Sequence, residues 1–71
     1  MNPDRINDAM STCHAELLKC DSFSASKAHE LIAVTASIST DVAQSLFAFM
    51  RIMNYIEEYP DGEFRAVGKC P

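Results

Sequence analysis

Ser24-Ala25-Ser26-Lys27 sets a serine and a lysine at the spacing of a nucleophile and its general base on the first turn of a helix. The companion motifs of such a site are missing, and a chain of 71 residues is too short to wall off a reaction. Ser24 reads instead as the N-cap of a helix, and no catalytic residue is expected. Cys13, His14, Cys20, His29 and Cys70 are the donor types that zinc gathers in tetrahedral sets. Their spacing does not serve that purpose. There is no Cys-x-x-Cys, and the adjacent side chains of Cys13 and His14 diverge by about 100° on a helix. Neither metal nor cofactor is expected.

Carboxylates are the remaining candidates. Glu57, Glu58, Asp61 and Glu63 form an acidic run that reads as a solvated end, able to meet a basic partner and speed its association. The formal net charge is −4, and the Lys and Arg residues are scattered over positions 5, 19, 27, 51, 65 and 69. Phosphate neutralisation supplies most nucleic-acid affinity, so nucleic acid is not an expected partner. The competing reading is a helix-turn-helix over Lys27 to Phe49, with Glu30-Leu31-Ile32-Ala33 opening the first helix and Ile38-Ser39-Thr40-Asp41 opening a recognition helix. The usual turn glycine is absent, the Ile32-to-Ile38 spacing is one residue off the common form, and Asp41 would face phosphates. Gln44 and Ser45 are the base-reading groups there.

The elements that carry these residues are helical. No glycine occurs before Gly62, and the prolines are Pro3, Pro60 and Pro71. Asn2 is an N-cap with Pro3 at the first helical position and Asp4 in the opening turn. Ile6, Met10, Cys13, Leu17 and Cys20 then alternate at four and three, the seam of an antiparallel packing, with the opposite side polar. Cys20 to Ser26 is turn chemistry, after which Ser24 caps a second helix with Phe23 and Ala28 at staple positions and His29 at its exposed start. A break or kink is expected between Ser37 and Asp41, where Ser39, Thr40 or Asp41 can cap a third helix. The alternative is one long bent helix from Ser24 to Tyr59, because the four-and-three phase of Ala28, Ile32, Thr35, Ser39, Val42, Leu46, Phe49, Met53 and Ile56 does not reset. Tyr59-Pro60-Asp61-Gly62 ends the helical region.

The expected fold is all-α, one helical domain with helices near 3–20, 24–38 and 40–59. It is a small three-helix bundle, or a helical hairpin with one long bent helix. Residues 60–71 form a short irregular tail, in which residues 63–67 make a short strand or lie extended, anchored by Phe64. The three cysteines are an odd number, so a closed disulfide framework is not expected, and Cys13 and Cys20 read as small core residues. No apolar run of membrane length occurs, and Met-Asn-Pro-Asp-Arg lacks the order of a secretory signal, so the cytoplasm is the expected location and no membrane partner is foreseen.

Surplus apolar surface on the last helix points to function. Val42, Leu46, Phe49, Met53 and Ile56 make a core stripe, and Ala48, Ile52, Tyr55 and Tyr59 make a second beside it, widening the apolar arc to roughly 220° against the roughly 100° that a surface helix needs. Phe47 stands apart as an aromatic on a polar face. Phe47, Ala48, Arg51, Ile52, Tyr55 and Tyr59 are therefore the expected protein interface, since tyrosine and arginine are frequent anchors. The chain reads as a small acidic inhibitor, regulator or adaptor of a larger protein, of the size of many phage- or plasmid-type proteins, and as a homodimer through its last helix. The alternatives are a helix-turn-helix transcriptional regulator, or a small subunit or chaperone of a larger assembly.

Overall fold

The computed structural model describes residues 3–68, with side chains from Asn7 onward. Helices α1 (Pro3–Leu18), α2 (Ala25–Ala36) and α3 (Thr40–Ile52) are followed by strands β1 (Ile56–Glu58) and β2 (Phe64–Ala66). The Asn2 cap, the Asp4 and Ile6 side chains, and Cys70 lie outside the described residues. Helix α2 packs on both α1 and α3, and β2 lies against α1. The fold is therefore mostly helical, as expected from sequence, with a small two-stranded sheet that the all-α expectation lacks.

Local chemistry explains most of the element boundaries. Ser24 takes an extended backbone and its Oγ accepts from the amide of Lys27 at 3.2 Å, so the serine of the Ser-x-x-Lys spacing caps α2. Ser39 does the same for α3, its Oγ accepting from the amide of Val42 at 3.3 Å. Between them the long bent helix is interrupted. Ser37 has φ 55, and the amides of Ser37 and Ile38 donate back to Val34 at 3.4 Å and Ala33 at 3.0 Å. This pair of bonds is a Schellman stop, with serine in the left-handed place that glycine usually takes.

The same device ends α3 earlier than the expected Tyr59. Asn54 has φ 65, the amide of Asn54 donates to Arg51 at 3.0 Å, and that of Tyr55 to Met50 at 2.9 Å. Asparagine tolerates the left-handed region better than most side chains, which is why the helix stops here without glycine or proline. The chain downstream is then free to pair. Ile56, Glu57 and Glu58 stand opposite Ala66, Arg65 and Phe64 in an antiparallel hairpin. At its turn, Gly62 (φ 88) donates to Tyr59 at 3.0 Å, Tyr59 donates to Glu63 at 2.8 Å, and Asp61 Oδ1 accepts from the Glu63 amide at 3.0 Å. Phe23 adds a third row to the sheet, exchanging backbone bonds with Phe64 at 2.9 and 2.8 Å. The expected irregular tail is thus an ordered strand through Ala66, anchored by Phe64 as foreseen.

One residue of phase separates the expected core stripe of α3 from the observed one. Ala43, Phe47 and Met50 are the buried positions, whereas Val42, Phe49 and Met53 are 47%, 43% and 45% exposed. One residue shifts a helical face by about 100°, so the expected stripe is rotated off the core by that amount. The driving difference lies in what each face meets. Phe47 sits edge-on to Phe64 at 5.2 Å, a contact made by the hairpin folding back under α3, and to His29 of α2 at 5.1 Å. Phe47 is accordingly 3% exposed, not an aromatic on a polar face, and His29 is half-buried on it instead of standing exposed.

In α1 the seam residues Met10, Cys13 and Leu17 are buried, joined by His14, which flanks the seam one turn after Met10. Cys13 and Cys20 are free thiols. Among the described residues, no single helix is long and apolar enough to cross a membrane.

Candidate functional site

Helices α2 and α3 are joined by the three residues 37–39, and the chain turns by 109° between them. Those values fall within the helix-turn-helix range of about 90–120° and three to four turn residues. The first helix of the pair begins at Ala25, directly after the expected Ser24 cap and earlier than the Glu30 of the competing helix-turn-helix reading, and the hairpin flanks the second. Helix α3 is therefore held away from α1, with its side opposite the core open to solvent.

What that open face presents is mostly apolar or acidic. Asp41, Ser45, Ala48 and Ile52 recur at four, three and four residues, and all are exposed, Ile52 at 75%. Thr40 and Gln44 border this row on one side, and the half-exposed Val42, Phe49 and Met53 on the other. No cation occurs on α3 until Arg51, in its last turn. There the guanidinium donates to Glu58 Oε1 at 3.0 Å and lies 5.0 Å from the centre of the Phe64 ring. Both partners of this ion pair are about half exposed, so it contributes at most about 1 kcal/mol to stability. Its effect is positional. It ties the end of α3 to β1 and forms one wall of a shallow groove lined by Ala48, Arg51, Ile52, Ile56 and Glu58.

The six residues expected at an interface thus separate into three groups. Ala48, Arg51 and Ile52 line this groove together. Phe47 belongs to the core. Tyr55 and Tyr59 lie beyond the end of α3: Tyr55 is edge-on to His14 at 5.7 Å, and Tyr59 carries Arg65 over its ring at 5.9 Å. They share no helical stripe with Ala48 and Ile52, because the chain leaves the helix at Met53. Ile56 and Glu58 complete the groove and were not foreseen. Asn54 was the available signal, since a left-handed stop there frees the next residues to form a strand.

Charge around the groove is unbalanced. Residues 40–66 carry five carboxylates, Asp41, Glu57, Glu58, Asp61 and Glu63, against the two guanidiniums of Arg51 and Arg65. Glu57 stands opposite Arg65 across the hairpin, and Glu58 is held by Arg51, which leaves Asp41, Asp61 and Glu63 without a cation from this segment. Among the described residues, no group of three or more His, Cys, Asp or Glu side chains is placed to hold a metal ion. Ser24 Oγ is engaged by its helix cap. Cys13, whose Sγ points at the Ile32 carbonyl oxygen 3.9 Å away, has its thiol pKa pushed above the ordinary value by burial first and the Glu16 carboxylate second, which makes it a poor nucleophile.

No protein-family model matches the chain, and no curated protein or solved structure is significantly similar to it. Shape and charge on α3 and the hairpin are what bear on function.

Proposed function

We propose that this chain is a protein-docking module that inhibits, regulates or recruits a larger protein, using a helix-turn-helix scaffold whose outer helix has been turned from phosphates to a protein surface. The arrangement of three helices, a hairpin and a third row at Phe23 has the form of a winged helix-turn-helix. Likeness of fold does not decide function; the face does. The supporting observation is that the outward face of α3 carries Asp41, Ala48 and Ile52, with Val42, Phe49 and Met53 at its edge and no free cation. Each phosphate contact in a DNA complex is ordinarily supplied by Lys, Arg or a polar donor, and such contacts carry much of the affinity. An acidic hairpin beside an apolar helix works against them. The same surface suits a protein partner, where aliphatic and aromatic groups fill an interface core and charges form its rim.

Affinity capture from the native host with wild-type and Ile52→Asp baits tests this reading. A partner retained by the wild type and by Leu18→Asp, exposed on α1, but lost with Ile52→Asp is the expected outcome. Equal retention by the wild-type and Ile52→Asp baits would move docking to another face. The second reading, a DNA-binding regulator, is favoured by the 109° turn and by exposed Thr40, Gln44 and Ser45 at the start of α3. Gel retardation of duplex DNA at low salt, abolished by Gln44→Ala with Ser45→Ala, would establish it in place of the first.

A further inference from the structure

Charge complementarity indicates what the α3–hairpin groove accepts. We infer that its occupant is a segment of another protein that inserts an aliphatic anchor over Ala48 and Ile52 and flanks it with lysine or arginine; this rests on the protein-docking reading above. The groove floor is apolar, formed by Ala48, Ile52 and Ile56, and its one guanidinium is already held by Glu58. Asp41 lies on the same exposed row as Ala48 and Ile52, and Asp61 and Glu63 sit around the hairpin turn. An incoming segment therefore meets an apolar strip with Asp41 further along its exposed row, beside a hairpin whose turn carries the surplus carboxylates Asp61 and Glu63. A fully desolvated aliphatic side chain supplies affinity there, while flanking cations set orientation and speed encounter.

The same charge count discriminates against two other occupants. A second copy docking through the same face in a two-fold contact would bring its own surplus of carboxylates, five against two guanidiniums, to meet this one, so like charges oppose the homodimer expected from sequence. Nucleic acid meets the same repulsion from its phosphates. Both remain outcomes that experiment can return.

Three synthetic amphipathic helical peptides, identical in their leucine face and flanked by lysine, glutamine or glutamate, are titrated into the full ¹⁵N-labelled chain while backbone amide shifts are followed. The expected result is that the lysine-flanked peptide moves the amides of Ala48, Ile52 and Ile56 and binds at least about tenfold tighter than the glutamate-flanked one. That margin should shrink several-fold as salt rises from 0.05 to 0.5 M, roughly a threefold shorter screening length. Ile52→Asp should abolish the shifts at Ala48 although it adds a negative charge, a change that pure electrostatic attraction would favour. Equal binding of all three peptides at these amides overturns the charged partner but leaves protein docking standing. Shifts confined to the hairpin carboxylates overturn the groove as the anchor site. No shift at Ala48 and Ile52 with any peptide overturns the anchored segment, while the Ile52→Asp capture decides protein docking separately, and a free chain that sediments as a dimer with these amides protected assigns the face to a second copy.

Discussion

His14 Nε2 lies 2.9 Å from the carbonyl oxygen of Val67, 53 residues further along the chain. A carbonyl only accepts, so Nε2 carries the proton in this bond. The ring is 2% exposed and stands edge-on to Tyr55, whose own carbonyl accepts from the Val67 amide at 2.8 Å. One side chain of α1 thus fastens the end of β2 beside the bend that follows α3. His14→Phe, which keeps the ring but removes the donor, should destabilise the chain by about 1–3 kcal/mol by leaving a carbonyl without its partner. Urea unfolding measures this. Amide exchange should accelerate at Val67 before it does at Ile32; uniform acceleration would show that His14 supports the whole core and not this strand end.

Phe47 and Ile52 lie five residues apart and should respond in opposite ways. Truncating Phe47, which contacts the rings of His29 and Phe64, should cost about 3–5 kcal/mol. That is comparable to the entire stability of a domain this small, so Phe47→Ala should be largely unfolded by circular dichroism. Ile52→Asp should change the unfolding free energy by no more than about 0.5 kcal/mol, as expected for an exposed site. A folded Phe47→Ala would contradict the phase of α3 described above.

The left-handed serine at the α2–α3 turn is open to improvement. Ser37→Gly removes the steric penalty of φ 55 and should stabilise the chain by about 0.5 kcal/mol after the added freedom of the unfolded state is discounted. Ser37→Val should destabilise it by more than about 1 kcal/mol, since a β-branched residue resists this region. Thermal melts suffice to rank the three, and a valine variant as stable as wild type would disprove the turn geometry.

Cys13 should make stability decline at alkaline pH. Its thiol pKa is raised in the folded chain by burial and then by Glu16, so the folded state holds its proton more tightly than the unfolded state does. The resulting stability is complete below the ordinary thiol pKa and is lost as pH rises from about 8.5 through the raised value. Cys13→Ala should flatten this arm above the ordinary thiol pKa. Identical slopes in urea midpoints for variant and wild type would refute the assignment. Thiol labelling at pH 8 should reach Cys20, only partly buried, well before Cys13.

Features written in short-range chemistry were legible in the residues themselves. Ser24 is a cap because a serine oxygen reaches the amide three residues on, Ser39 is one of three cap candidates beside Thr40 and Asp41 and is the one the structure uses, and Pro60-Asp61-Gly62 is a turn wherever it is placed. The break after Ser37 and the inward seam of Met10, Cys13 and Leu17 follow from similar rules. Helix α3 shows where such rules end. Val42, Leu46, Phe49 and Met53 are as apolar as Ala43, Phe47 and Met50, so hydrophobic periodicity permits either face to turn inward. The choice belongs to the hairpin and to Phe23, whose contacts across long sequence separations place Phe64 beneath Phe47. The candidate site divides along the same line. Its apolar excess, Ala48 with Arg51 and Ile52, could be read along the chain. Only the folded chain, by ending α3 at Asn54 and returning Glu58 to Arg51, makes them the floor and wall of a groove. Capping and turn preferences act within a few residues, whereas the face a helix buries depends on which distant surface arrives to cover it.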